Sequence, residues 1–262
     1  MLARAARPED YDAFTALWAQ LGQEQDPPPR DRWVEHLAPS TIFLEEDGRL
    51  AAYNLSFAFG TRGDVRQVVV DHAFRRRGVG KQLMAAVAAK LRAAGCSEWR
   101  LEVRADNAAA LALYRAVGMR PLRDLHVMTL ARADAEAFAA TASGPQRIEP
   151  VVAADDPALE AALDFGAGQL ARWRTYRAHC PMVRAGHDAM TQIWHDFKPG
   201  CALLFPFVAP DIETAAHLLA TALTVAKTDR FELELRQPHL VTALLAAGAI
   251  EHEHQIEMTG SL

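Results

Sequence analysis

Apolar residues Tyr11, Phe14, Leu17, Trp18 and Leu21 recur at helical spacing. They follow Pro8, Glu9 and Asp10, a proline and two acids that suit a first helical turn. Residues 4–7 ahead of them read as a strand. The run 25–29, Gln-Asp-Pro-Pro-Pro, ends the helix, because prolines cannot continue it. A second short helix is expected over 33–37. The period then changes. Residues 41–45 and 50–59 flank Asp47-Gly48, which predicts a hairpin with a tight turn. Residues 64–70 read as the next strand, ending in Val68-Val69-Val70. A long helix is expected over 81–94, closed by Gly95. A strand follows over 99–103, a helix over 108–117 stopped by Gly118, and a strand over 122–130. Hairpin, strand, helix, strand, helix and strand in that order predict an α/β (α+β) chain with a mixed central sheet flanked by helices.

One more helix is expected over 131–142, and 141–146 is the best linker. A strand from Arg147 and a helix from near Asp155 open the second half. That half reads as a distant copy of the first. A shift of about 130 residues lays Arg230, Glu232 and Gly248 over Arg100, Glu102 and Gly118, and the helix at 213–227 over the long helix of the first half. The expected division is 1–142 and 147–262.

Composition narrows the function classes. Half of the 262 residues are apolar in type, enough for well-formed cores. A net charge of −5 argues against a general nucleic-acid binder. The N-terminus has no signal-peptide core, and no apolar run approaches a membrane span, so a soluble cytoplasmic chain without membrane partners is expected. Cys96, Cys180 and Cys201 show no metal-ligand spacing, and an odd, sparse count suits a reducing compartment. His179, His187 and His195, each eight residues from the next, imply no metal site. His252 and His254 alternate with Glu251 and Glu253, the pattern of a solvated strand. Trp173, Tyr176 and Trp194 read as core or interface residues.

The chemistry-bearing stretch is Arg75-Arg76-Arg77-Gly78-Val79-Gly80-Lys81, between an apolar strand and a long helix. Glycine lets a backbone approach a ligand closely, and a helix start offers unpaired N–H groups with a partial positive charge. Such a turn suits a phosphate. On its own it is equally a basic turn that starts a helix. It has neither the P-loop spacing nor the dinucleotide fingerprint.

Arg75-x-x-Gly78-x-Gly80 resembles the Arg/Gln-x-x-Gly-x-Gly/Ala motif of the GNAT superfamily of acyl-CoA-dependent N-acyltransferases. Asn107, Ala110, Leu113 and Tyr114, followed by Gly118-Met119, resemble that family's other recurring element, with Met119 in the usual Phe place. The resemblance spans roughly residues 2–130, and with the internal copy it implies a tandem protein of two GNAT-like sheets. It implies an N-acetyltransferase that passes an acetyl group from acetyl-CoA to a small-molecule or peptide amine, without a metal. A non-catalytic acyl-CoA-binding module is the alternative. Arg76, Arg77, Gly78, Val79, Gly80 and Lys81 would hold the pyrophosphate through backbone N–H groups, with Arg75 and Lys81 adding charge. Val68 and Val70 would pair with the pantetheine arm, and Asn107 would support it or the neighbouring loop. Tyr114 would protonate the departing thiolate; as a bare residue it equally fits the core of an amphipathic helix. Asp64 stands where many relatives carry a glutamate base, and it also fits a turn after Gly63. Glu45, Glu46 or ordered water are further routes for the amine proton. In the second half the matching loop is Val208-Ala209-Pro210-Asp211, followed by Glu213. It lacks glycine, loses a donor at proline and has the wrong charge for phosphate. With Leu244 matching Tyr114 and Gln237 matching Asn107, the second half is expected to be a degenerate copy.

Overall fold

The computed structural model describes residues 1–21 and 26–262. The chain divides into two units, Met1–Leu122 with Glu257–Leu262, and Arg123–Ile256. In the first unit, β1 (Leu2–Ala5) leads through a 3-10 turn into α1 (Tyr11–Trp18). The strand expected at 4–7 starts and ends earlier, because Arg7 N–H donates to the Asp10 carboxylate and turns the chain away. Gln25 of the helix-ending run lies outside the described residues. α2 (Arg30–Arg32) runs into a π-helical turn at Trp33–Leu37. The hairpin β2 (Thr41–Glu46) and β3 (Arg49–Phe59) turns at Asp47 and Gly48, both at positive φ, as a tight two-residue turn requires. β4 (Arg62–Val70), α3 (Val79–Ala93), β5 (Glu98–Arg104) and α4 (Ala108–Ala116) follow.

Neighbours run in the order β1-β2-β3-β4-β5, all antiparallel except the pair β4–β5, which is joined through α3. The core packs Phe14 on Trp33, centroids 4.3 Å apart, with Tyr53 edge-on to Phe14 at 5.2 Å. α3 buries Leu83, Met84, Val87 and Leu91. Its approach to β4 is so close that a Cβ on Gly63 would lie 2.5 Å from Leu91 Cδ1. Residues 257–261 complete this unit's sheet beside β5, where Leu262 N–H donates to Ser97 O at 2.8 Å.

The second unit repeats the plan. It contains β6 (Arg120–Ala131) from Arg123 onward, α5 (Arg132–Ala139), β7 (Glu149–Pro150), α6 (Asp156–Ala162), α7 (Gln169–Tyr176), β8 (Met182–Ala185), β9 (Ala189–Lys198), β10 (Cys201–Val208), α8 (Ile212–Val225), β11 (Arg230–Leu235), α9 (Pro238–Ala246) and β12 (Ile250–Ser261) as far as Ile256. The order is β7-β8-β9-β10-β11-β6, and again only one pair, β10–β11, is parallel across a helical crossover. α9 and β12 reproduce the lengths of α4 and β6. Gly118 and Gly248 both stand at positive φ between helix and strand.

The boundary differs from the expected one. β6 follows α4 in the chain, yet its residues His126 to Ala131 pair with Leu235 to Arg230 of β11. The end of β12 in turn belongs to the first unit. The expected linker at 141–146 lies inside the second unit. Ser143 Oγ and Gly144 N–H each donate to Glu213 at 3.0 Å, and Gln146 bonds Thr214 at 3.2 Å. Among the described residues, no helix is long and apolar enough to cross a membrane.

Candidate active site

β4 is paired with β3 as far as Val70, opposite Ala52. On its other side it pairs with β5 from Arg62↔Glu98 to Val65↔Leu101. A register shift between Leu55 and Ser56 places Arg66 as an extra residue in β4, and such a bulge bends a strand. Beyond Val65 the two parallel strands part. A cleft of about 690 Å³ lies within the first unit, lined by Val68 and Val70 of β4, Gly78 and Gly80 of the following loop, and Asn107 and Tyr114 of the α4 segment.

The loop is held from both ends. Asp71 accepts from Ala73 N–H at 2.8 Å, and Gln20 accepts from His72 N–H at 2.9 Å. Arg75 Nε donates to Val70 O at 3.0 Å, folding the loop onto the end of β4. Arg76 takes a positive φ of 60° and Gly78 one of 79°. Gly78 is the N-cap of α3, and no side chain caps this helix. The first-turn N–H groups therefore face outward with the positive end of a 15-residue helix behind them. Arg77 turns aside to Glu46 at 2.8 Å and lies over the Phe74 ring. Among the described residues, Arg76 and Lys81 carry no ion pair.

Of the residues singled out from sequence, Val68, Val70, Arg75, Arg76, Gly78, Val79, Gly80, Asn107 and Tyr114 line the cleft. Arg77, Lys81 and Asp64 do not. Asn107 caps α4, its Oδ1 accepting from Ala110 N–H at 3.0 Å, so it fixes the helix that presents Tyr114. Tyr114 is buried, with only 7% of its surface exposed, and burial pushes its phenol up to about 12. It is therefore protonated throughout the neutral range. Asp64 sits on β4 opposite Phe57 and Arg100, with its carboxylate 3.8 Å from the Arg66 guanidinium. Glu45 accepts from Arg4 at 2.8 Å, and Glu46 from Arg77. The cleft also recruits Gln20 and Phe74, which sequence reasoning passed over, and Leu113, which it named only as part of the motif. Leu113 had a signal in its place one residue before Tyr114; a Cβ on Gly80 would come 3.1 Å from its Cδ2.

At the corresponding place in the second unit the helix start is occupied by the chain itself. Asp211 is the N-cap of α8 and accepts from Thr214 N–H at 2.7 Å. Glu213, in the same turn, holds Ser143 and Gly144.

Residues 6–119 match the acetyltransferase (GNAT) family. An acetyltransferase of Pectobacterium atrosepticum is 30% identical over 118 residues, covering 44% of this chain and 84% of that protein. The [ribosomal protein bS18]-alanine N-acetyltransferase of Salmonella typhimurium is 37% identical over 75 residues, 29% of this chain and 51% of the relative. The chain thus spans about half the length of the first curated relatives it matches. A tandem GNAT protein from the clavulanic acid biosynthesis pathway has a similar fold along nearly its whole length, with a TM-score of 0.63 at 18% identity, covering 97% of this chain and 94% of that one.

Proposed function

The chain belongs to the GNAT acetyltransferase family, and from that premise we propose that its first unit transfers an acetyl group from acetyl-CoA to a primary amine by direct attack. The observation that carries this reading is the parted edge of β4, which runs into an uncapped helix start and leaves Tyr114 in the same cleft.

The pyrophosphate would rest on the first-turn N–H groups of α3, where backbone donors and helix dipole act together. The backbone of Val68 and Val70 would pair with the pantetheine arm as an added strand. Asn107 keeps α4 in register with that arm. The amine nitrogen attacks the thioester carbonyl carbon, the carbon–sulfur bond breaks, the sulfur takes its proton from the Tyr114 hydroxyl, and the surplus proton on nitrogen returns through solvent to the phenolate. General-acid help of this kind is worth about 10²–10⁴-fold. An alkylammonium of lysine type has a pKa near ~10.4 and must lose a proton before it attacks. Asp64 stands two residues before the free edge of β4 begins and lies outside the cleft, so we assign it this proton through intervening water. A relative named for acetylating a ribosomal-protein alanine supports an amine acceptor.

The second unit is a degenerate copy on this reading. Asp211 fills the place a phosphate would take, and its charge repels one. Calorimetric titration with acetyl-CoA tests the site. Gly80→Glu puts a carboxylate on the first turn of α3, and the flexible end of Leu113 can give way to its Cβ. Loss of binding with an unchanged thermal melt is expected. Wild-type affinity in a folded Gly80→Glu protein would place the coenzyme elsewhere.

A further inference from the structure

Three ligand-type side chains of the second unit converge far along the chain from the acetyl-transfer cleft. His179 and Cys180 follow α7, and Asp196 lies on β9. One donor atom from each falls within 4.8 Å of the other two. His179 Nε2 is 2.9 Å from Asp196 Oδ2, and Cys180 Sγ is 3.6 Å from Asp196 Oδ1. We propose that His179, Cys180 and Asp196 bind one thiophilic divalent cation of the zinc type, with solvent in the fourth position.

The geometry fits such an ion. Bonds of about 2.0–2.3 Å at tetrahedral angles separate neighbouring donors by roughly 3.3–3.6 Å. The Cys180–Asp196 separation already lies there, and the His179–Asp196 contact needs to open by only a few tenths of an ångström. The donor set of imidazole, thiolate and carboxylate suits zinc or cobalt better than the hard cations, which prefer oxygen alone. His179 and Asp196 are exposed while Cys180 is buried, so an ion can enter from solvent and find its sulfur ligand behind the other two.

The surroundings hold the ligands in place. Arg177 approaches Asp196 at 3.4 and 3.5 Å and packs its guanidinium on the Trp194 ring, 4.5 Å from the centroid. A hydrogen-bonded carboxylate with a fixed outer partner is the usual second layer of a metal ligand. The His195 ring stands edge-on to His179, centroids 5.7 Å apart, and fixes the side on which that imidazole lies. A nucleophilic-cysteine reading fits less well. Asp196 lies between sulfur and imidazole, so the thiol meets the carboxylate rather than the imidazole, and burial with that carboxylate pushes Cys180 up to about 11. A bound cation reverses that penalty: the thiol gives up its proton to solvent and the thiolate stays on the metal.

The test uses the untagged full chain, reduced and stripped with a chelator. Cobalt(II) is titrated in while the near-ultraviolet thiolate-to-cobalt charge-transfer band is followed, and zinc is then added in competition. One equivalent of cobalt should saturate the band, and zinc should abolish it. Cys180→Ser should remove the band, whereas Cys96→Ser and Cys201→Ser should keep it. Asp196→Asn, a change at an exposed position, should weaken binding at least about tenfold with an unchanged far-ultraviolet spectrum. Absence of the band in the wild type, or its survival in Cys180→Ser, overturns the proposal. Wild-type affinity in Asp196→Asn overturns the assignment of the carboxylate.

Discussion

Gly78 and Gly80 stand two residues apart for different physical reasons. Gly78 sits at φ 79° with nothing within 4 Å of where a Cβ would be, so its requirement is conformational. Gly80 has ordinary helical backbone, and its requirement is the 3.1 Å approach of Leu113. Gly78→Ala should therefore cost about 1–2 kcal/mol in urea unfolding, the penalty for a left-handed L-residue. Gly80→Ala should cost less, because a leucine terminus yields. The reverse order would contradict this assignment. Tyr114→Phe should lower kcat by about 10²-fold or more while leaving the calorimetric Kd for acetyl-CoA near the wild-type value, since the hydroxyl matters only as sulfur departs. An unchanged kcat would leave Tyr114 a packing residue. At this scale the sequence exposed the loop glycines and Tyr114, because each sits in a short local motif. It could not show that Arg77 is drawn off to Glu46 or that Asp64 lies outside the cleft, because both depend on neighbours brought together by strand pairing.

The two long crossover helices, α3 and α8, start in opposite ways. α3 begins on a glycine with no side-chain cap, and α8 on Asp211, which caps itself. This contrast was legible from composition alone, since Gly-x-Gly and Ala-Pro-Asp cannot do the same job at a helix start. The Thr214 N–H bond holds the Asp211 carboxyl below the usual carboxylate range. Its contribution is thus present above the unfolded pKa and fades in acid as the group is protonated. Asp211→Ala should cost about 1 kcal/mol near neutral pH, the ordinary worth of an N-cap, with the cost shrinking in acid. Coenzyme titration of this variant should still saturate at one site per chain. Loss of binding, or the appearance of a second site, would mean that the silent and active loops are assigned the wrong way round.

At the scale of the whole molecule, periodicity marked the strands of the first half but not their partners, and it passed over β8, β9 and β10 in the second. Residues 122–130 read as the closing strand of the first half, and 251–254 as a solvated strand of the second. In the structure β6 enters the second unit beside β11, and the end of β12 enters the first. Nothing local encodes this, because an alternating strand presents the same pattern to any neighbour. The consequence is that the first unit is not a continuous piece of chain. A fragment ending near residue 143 would lack 257–262 while carrying β6 without β11, so it should not fold to a coenzyme-binding form. A smaller change probes the same point. A Cβ on Gly260 would lie 2.7 Å from Trp99 Nε1 and 3.3 Å from Met119 Cγ, both on buried side chains of the first unit. Gly260→Ala, two residues before Leu262, should therefore destabilise the protein by about 1–3 kcal/mol, the usual cost of overpacking. The change should register in near-ultraviolet signals and fluorescence from Trp99. Stopping the chain at Ile256 should lower acetyl-CoA affinity, because β5 loses its neighbour beside the cleft. If the truncated chain keeps both its melting temperature and its affinity, the first unit closes its sheet without the C-terminal strand and the exchange has no energetic weight.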